Sequence, residues 1–209
     1  MTAQKGGSLS RSAKASKPQT RLDPATRRAL LVQAAAGVFR GRDPGEVSFE
    51  EVAEAGGVSR ALVYAYFGDR GGLIAAVYLH NLEQLDRELG RALDDRLPDE
   101  VRLRRIVRRY LLFARDNEAS WNVIAAAGAL QHPAIQAARR DRIERIAASW
   151  GSAPTARLVA RGVVGLLEAG AQDWVDYRDC GIERATDVLF AVLWEGLTGL
   201  RSRGIVAAS

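Results

Sequence analysis

Residues 48–67, Ser-Phe-Glu-Glu-Val-Ala-Glu-Ala-Gly-Gly-Val-Ser-Arg-Ala-Leu-Val-Tyr-Ala-Tyr-Phe, constrain the chain more than any other stretch. Ser48 followed by Glu51 is a capping box, which starts a helix at Phe49. Val52, Ala53 and Ala55 give that helix its apolar side. Gly56 and Gly57 stop it, because one of them can adopt the left-handed conformation that closes a helix end. Ser59 then caps a second helix carrying Arg60, Ala61, Leu62, Val63, Tyr64 and Tyr66. Two short helices joined by a glycine-containing turn describe a helix-turn-helix. Such a unit cannot bury a core of its own, so the remaining chain must support it.

The flanking sequence reads as all-α. Residues 1–22 are rich in Ser, Gly, Ala and Lys. They read as a disordered basic arm carrying Lys5, Arg11, Lys14, Lys17 and Arg21. The arm either follows DNA or serves as a solubilising tail. Asp23-Pro24 opens a helix with Leu30, Leu31, Ala34, Ala35, Val38 and Phe39 on its apolar face. Residues 41–45 form a loop, and the helix-turn-helix domain closes near residue 68. Asp69 caps a fourth helix to about Leu93, with a stripe of Leu73, Ile74, Val77, Tyr78, Leu82, Leu85 and Leu89. Gly71 and Gly72 in its first turn cost about 1 kcal/mol each against Ala, and the pair offers a pivot.

Pro98 or Asp99 opens a fifth helix to about Asn117. Its inner face is Val101 or Leu103, then Ile106, Val107, Tyr110, Leu111 and Ala114. A sixth helix spans about Glu118–Leu130, and Pro133 starts a seventh to about Trp150. Two long helices follow, at about Thr155–Tyr177 and Ile182–Arg203. The organisation is a three-helix DNA-binding domain at 23–68 and a larger helical domain at 69–209 for ligand binding and dimerisation, about nine helices in all.

Charge is concentrated in the N-terminal part. Residues 1–70 hold 11 Lys/Arg against 7 Asp/Glu, a balance of +4 out of the chain's +5. That excess surrounds the helix-turn-helix, where phosphates would need it. No apolar run reaches the ~20 residues of a membrane span, and no secretory segment follows Met1, so a cytoplasmic protein is expected. Cys180 alone cannot form an intrachain disulfide or a cysteine-based metal site. His80 with Glu83 is a lone His-x-x-Glu, short of the paired motifs of a di-iron bundle. His132 before Pro133 reads as a turn or capping residue. No metal, cofactor or catalytic constellation is expected.

Val52-Ala53, Gly57-Val58-Ser59, Tyr64-Ala65-Tyr66-Phe67, Arg70 and Leu73 together resemble the TetR family of transcriptional regulators. The likeness extends to the placing of the first helix, with Phe39 near its end. The C-terminal part resembles the family in architecture. The resemblance implies that the third helix enters the major groove, while the tyrosine and the basic residue opening the fourth helix touch phosphates. The DNA-binding candidates are Ser48, Ser59, Arg60, Ala61, Leu62, Tyr64, Tyr66 and Arg70. Arg60, the only long polar side chain on the recognition helix, reads guanine or binds phosphate. Gly56 stands where the family usually has Ala, Leu62 where a Thr or Ser is common, Arg70 for Lys, and Gly71-Gly72 for a more polar pair.

Reading an operator requires two such units about 34–36 Å apart. The last two helices carry small and bulky rows suited to pairing as a four-helix bundle, the dimer mode of the family. The interface candidates are Gly162, Leu166, Ala169, Phe190, Trp194 and Leu197. Tyr78, Tyr110, Phe113, Asn117, Trp121, Asn122 and Trp174 are the candidate lining of an effector pocket, and their chemistry suits a small hydrophobic or aromatic effector. The Arg-rich side of the fifth helix either attracts an anionic tail, such as a coenzyme A phosphate, or forms a solvated face paired with Asp94, Asp95, Asp99 and Glu100. The expected protein is a homodimeric repressor of a palindromic double-stranded DNA operator, released by a small molecule. The alternative is a helical small-molecule-binding protein or enzyme whose helix-turn-helix is vestigial.

Overall fold

Short-range capping decides where the helices begin. The computed structural model describes residues 23–39, 42, 46–91, 96–126, 131–151 and 154–206. The basic arm, most of the 41–45 loop, Asp94, Asp95 and the last four residues expected in the sixth helix lie outside the described residues. Among the described residues are nine helices: α1 (Pro24–Val38), α2 (Phe49–Ala55), α3 (Arg60–Phe67), α4 (Arg70–Gly90), α5 (Asp99–Asp116), α6 (Glu118–Ala126), α7 (Pro133–Ala148), α8 (Pro154–Tyr177) and α9 (Ile182–Ser202). No strand occurs among them.

Asp23 caps α1 by accepting from the Ala25 and Thr26 amides, with Pro24 in the first turn. Ser59 accepts from Leu62 N at 3.3 Å to start α3, and Asp69 accepts from Gly72 N at 2.8 Å to start α4. His132 caps α7 through Nδ1, which accepts from Ala134 N at 3.3 Å. Cap side chains of this kind satisfy amides that the helix itself leaves without acceptors.

The capping box of α2 is complete. Glu51 N donates to Ser48 Oγ at 3.2 Å, and Ser48 N donates to Glu51 Oε2 at 2.8 Å. Arg42 adds an ion pair to Glu51 at 2.5 Å. The Ser48 amide, then the Arg42 guanidinium and the Ser48 hydroxyl, draw the Glu51 carboxyl down from 4.5 to about 2. A carboxyl lowered on folding contributes stability that is present above its unfolded value and lost as pH falls through its folded one. Glu51→Gln is therefore expected to remove part of the loss of helicity between about pH 5 and pH 2, followed by circular dichroism. Identical acid profiles for variant and wild type would deny Glu51 this role.

The N-terminal helices pack on Leu31, Val32, Ala35, Phe39, Val47, Phe49, Val52, Ala53, Val63 and Phe67. The buried side of α1 is turned by one position from the expected stripe: Val32 is inside and Leu30 is 48% exposed. The α2–α3 turn closes with Gly57 at φ 61°, in the left-handed region. Val58 N bonds Ala53 O at 2.9 Å and Gly56 N bonds Val52 O at 2.9 Å, which satisfies the carbonyls at the end of α2.

Helix α4 runs from this unit into the C-terminal domain. It buries Leu73, Ile74, Ala75, Ala76, Val77 and Tyr78 consecutively, so its first half has neighbours on every side. It touches α1, α3, α5, α6 and α7. Helix α5 lies along α9 and α8, and α7 lies along α8. The main core therefore runs unbroken from α1 to α9. A smaller apolar cluster of Ile143, Ala147, Ala156, Ala160 and Val164 joins α7 to α8. On α5, Leu103 is half-buried and Val101 is exposed, which decides between the two expected starts of its inner face.

Candidate nucleic-acid interface and effector cleft

Helix α3 turns Val63 and Phe67 into the core and leaves Ser59, Arg60, Ala61, Tyr64 and Ala65 exposed. Tyr64, 40% exposed, stacks face to face on Phe49 at 4.1 Å between ring centroids. The ring is thus fixed by packing while its hydroxyl stays at the surface. Arg60 lies over the Tyr64 ring at 5.2 Å, and its NH2 donates to Tyr64 Oη at 3.0 Å. Arg60 also pairs with Glu50 on α2. The one arginine of α3 is thereby held by one ring and one carboxylate.

The other DNA-binding candidates separate into two groups. Ser59 and Arg70 are exposed at the starts of α3 and α4, positions whose free amides favour phosphate. Ser48 is half-buried, and its hydroxyl donates to Glu51 Oε2 at 2.7 Å. Leu62 and Tyr66 are half-buried, and Tyr66 packs against the core beside Phe67. Sequence reasoning missed Glu50, whose spacing from Arg60 means nothing until the turn folds α3 back on α2. It also missed Arg28, which sits over the Phe67 ring at 5.6 Å.

The seven residues expected around a pocket are mostly spoken for. Tyr110 and Trp121 are buried and pack edge to face at 5.5 Å. Burial pushes the Tyr110 hydroxyl well above its ordinary value, so it stays neutral. Phe113 is buried, and Asn117 ends α5 by donating from Nδ2 to Phe113 O at 3.2 Å. Asn122 is half-buried on α6. Trp174 donates from Nε1 to Cys180 O at 2.9 Å, fastening the α8–α9 turn.

The cavity lies elsewhere, between α4, α7 and α8. It measures about 320 Å³ and is lined by Tyr78, Gln136, Arg139, Arg140, Arg142, Ile143, Arg161, Val164, Gly165 and Glu168. Of the expected lining residues only Tyr78 is present, and guanidinium groups dominate the wall. These arginines gave no sequence signal of their own, since three of them lie among the other charged residues of α7. On the other side of α7 a more open hollow is rimmed by Glu83, Asp86, Asp141 and Arg145.

The arginines of α5 form a paired surface. Arg102 pairs with Asp99, Arg104 with Asp187, Arg108 with Glu183 and Arg109 with Glu88. Most of these carboxylates come from α9 and α4. His80 Nε2 accepts from the Gln84 amide at 2.8 Å. Burial lowers its pKa, in keeping with a neutral acceptor. Among the described residues no cluster of three His, Cys, Asp or Glu could hold a metal, and no helix is long and apolar enough to cross a membrane.

Helices α8 and α9 share an apolar outer face. Leu158 is 73% exposed, Val188 48% and Val192 55%. Gly162, Ala169 and Gly196 are exposed beside them, and Leu166 is half-buried. A Cβ added at Gly162, Gly196 or Gly199 would meet nothing within 4 Å, so these positions leave room for another helix. Of the bulky row on α9, Phe190 and Trp194 are half-buried and stack on each other at 6.0 Å, with Arg104 over Phe190. Leu197 is buried within its own chain. The outward row is Val188, Val192 and Gly196, on nearly the opposite side of α9 from Phe190 and Trp194, since two positions turn an α-helix by about 200°.

Comparison with known proteins agrees with this geometry at both ends of the chain. Residues 31–77 match the family model described as bacterial regulatory proteins, tetR family. Residues 100–196 match the model for a tetracyclin repressor-like C-terminal domain. An uncharacterised HTH-type transcriptional regulator of Mycobacterium tuberculosis is 31% identical over 161 residues, covering 71% of this chain and 78% of that protein. A TetR-like transcriptional regulator from Rhodococcus sp. RHA1 has a similar structure, with TM-score 0.64 and 29% identity over 86% of this chain and all of that one. A tetR-family regulator from Streptomyces coelicolor gives TM-score 0.67 and 26% identity, covering 88% of this chain and 90% of that one.

Proposed function

Since the chain belongs to the TetR family of DNA-binding transcriptional regulators rather than to an enzyme family, we propose that it is a cytoplasmic homodimeric repressor whose operator grip is relieved by a small molecule bound in the C-terminal domain. The observation that carries this reading is the exposed face of α3. Arg60 and Tyr64 are held out from a helix whose other side is buried. A vestigial unit would have no reason to keep an arginine braced at the surface.

Contacts divide by chemistry. Arg60 supplies base readout, and Ser59, Tyr64 and Arg70 fix the register on the phosphates. Ala61 permits close approach of the backbone to the base edges. The dimer joins through α8 and α9. Helix α4 connects effector to operator, because it borders the cavity through Tyr78 and abuts the recognition helix at its N-terminus. An effector that binds one placing of α4 better than another shifts the population and changes the separation of the two recognition helices.

The test is binding to the DNA upstream of the protein's own gene. Arg60→Ala is expected to weaken specific binding about 10- to 100-fold, from roughly 1–3 kcal/mol for one good base contact. Tyr64→Phe is expected to lower affinity for specific and non-specific DNA alike, as loss of a phosphate contact does. A full-length protein that ignores this DNA at low salt, with neither substitution having any effect, would favour the helical ligand-binding alternative.

A further inference from the structure

The cavity between α4, α7 and α8 carries more guanidinium charge than its own carboxylate neutralises. Four arginines line it against one glutamate, Glu168. Arg139 is committed to Glu168, with NH2–Oε2 at 3.0 Å and NH1–Oε1 at 3.4 Å. Arg142, only 6% exposed, pairs with Asp86 at 3.4 Å and lies over the Tyr110 ring at 5.9 Å. Arg140 and Arg161 make no ion pair among the described residues, and both stand exposed at the mouth of the cavity. Two unpaired guanidinium groups therefore sit above two paired ones. Ile143 and Val164 supply an apolar wall between them.

We propose that this cavity binds a small organic anion, with a carboxylate or phosphate head on Arg140 and Arg161 and a short apolar body against Ile143 and Val164. The planar guanidinium fork suits such heads, because it can offer two parallel N–H donors to two oxygens. At about 320 Å³ the cavity stands near the lower limit of ligand sites, a size that suits a small molecule. Gln136 and the Tyr78 hydroxyl add neutral polar groups to the same wall. Burial raises the Tyr78 hydroxyl above its ordinary pKa and keeps its proton in place.

The inference rests on the reading of this domain as an effector site and gives that effector a chemical class. The link to α4 is physical. Asp86 of α4 holds both Arg142 and Arg145 of α7, the latter at 3.1 Å. Of these two only Arg142 also lines the cavity, so an anion held beside it on Arg140 and Arg161 competes with Asp86 for Arg142 alone. It thereby alters the tie between α7 and the helix that carries the DNA-binding unit.

The experiment uses the full-length chain with hexanoate, its neutral counterpart hexanamide, and inorganic phosphate. Binding is followed by isothermal titration and operator affinity by fluorescence anisotropy, at constant ionic strength. Hexanoate is expected to bind with a Kd on the order of 1 mM or tighter, hexanamide at least ~10-fold more weakly, and phosphate to compete with hexanoate. Arg140→Gln and Arg161→Gln, both at exposed positions that the fold does not need, are each expected to weaken hexanoate about 10-fold. Hexanoate and hexanamide binding alike, hexanoate indifferent to both substitutions, or no binding of either anion at 10 mM would overturn the proposal. Binding of hexanoate that leaves operator affinity unchanged supports the anion site and removes the switch. Operator release by a neutral ligand alone, with no hexanoate binding, does the reverse.

Discussion

Gly72→Ala is expected to destabilise the junction between the DNA-binding unit and the rest of the chain by roughly 3 kcal/mol, the upper part of the range for forcing atoms into a packed site. A Cβ at residue 72 would lie 2.1 Å from Phe67 O and 3.3 Å from Phe67 C. Both are backbone atoms, so no rotamer change relieves the clash. Either the last turn of α3 or the first turn of α4 must move. Alanine's better helix propensity returns only about 1 kcal/mol. For a chain of this size the remaining loss of about 2 kcal/mol corresponds to a fall of about 4–8 °C in Tm. Operator binding should fall further than stability, since the displaced segment carries the recognition helix. Gly71→Ala is the control. There the nearest atoms are Asp69 Oδ1 at 3.2 Å and His132 Cδ2 at 3.3 Å, side-chain atoms of two helix caps that need give only a few tenths of an ångström. That variant should lose much less Tm than Gly72→Ala. A Gly72→Ala protein with unchanged Tm and operator affinity would refute the steric account. The glycine pair, which in sequence looks like a pivot in a helix start, is at Gly72 a point of close backbone contact.

What sequence could disclose here follows the range of the interactions. Caps are i to i+3 events. Asp23, Ser48 with Glu51, Ser59, Asp69 and the helix start at Pro133 are all legible, and all are found. Helix phase depends on neighbours, so Val32 rather than Leu30 faces inward on α1. Long-range packing decides the rest. Tyr110 and Trp121 look like pocket walls in a sequence, but the α5–α6 hairpin lets each satisfy the other's ring. Nothing in the sequence separates Arg139, Arg140 and Arg142 from the other charged residues of α7. Only the approach of α4 and α8 turns Arg142 inward and leaves Arg140 at the mouth of a cavity. The Glu50–Arg60 pair is likewise a product of the turn between α2 and α3. The DNA-binding unit, built from local signals, was therefore readable, whereas the cavity between α4, α7 and α8 was not.

Val192→Glu is expected to separate the two subunits and with them almost all specific operator binding. Val192 is 55% exposed in the single chain and stands in an outward row with Val188 and Gly196. The substitution should therefore leave the fold of each subunit intact. In a two-fold dimer each substitution appears twice at one self-complementary surface. Two glutamates would lose water against Val188, Leu158 and the open glycine positions. A buried, unpaired charge costs several kcal/mol, enough to move a dimer of ordinary affinity to monomer at micromolar concentration. Loss of the second half-site removes the effective-concentration gain, so operator affinity should drop about 10²- to 10⁴-fold. The salt slope of the remaining binding should fall to about half, because half the phosphate contacts are gone. Sedimentation velocity gives the oligomeric state, circular dichroism the fold, and binding over a salt series the slope. A Val192→Glu protein that sediments as a dimer and binds operator as the wild type does would place the pairing surface somewhere other than α8 and α9. Monomers that keep full operator affinity would instead sever pairing from DNA reading. Arg60 and its brace would then have to read the site without the second copy that a helix this poor in polar side chains requires.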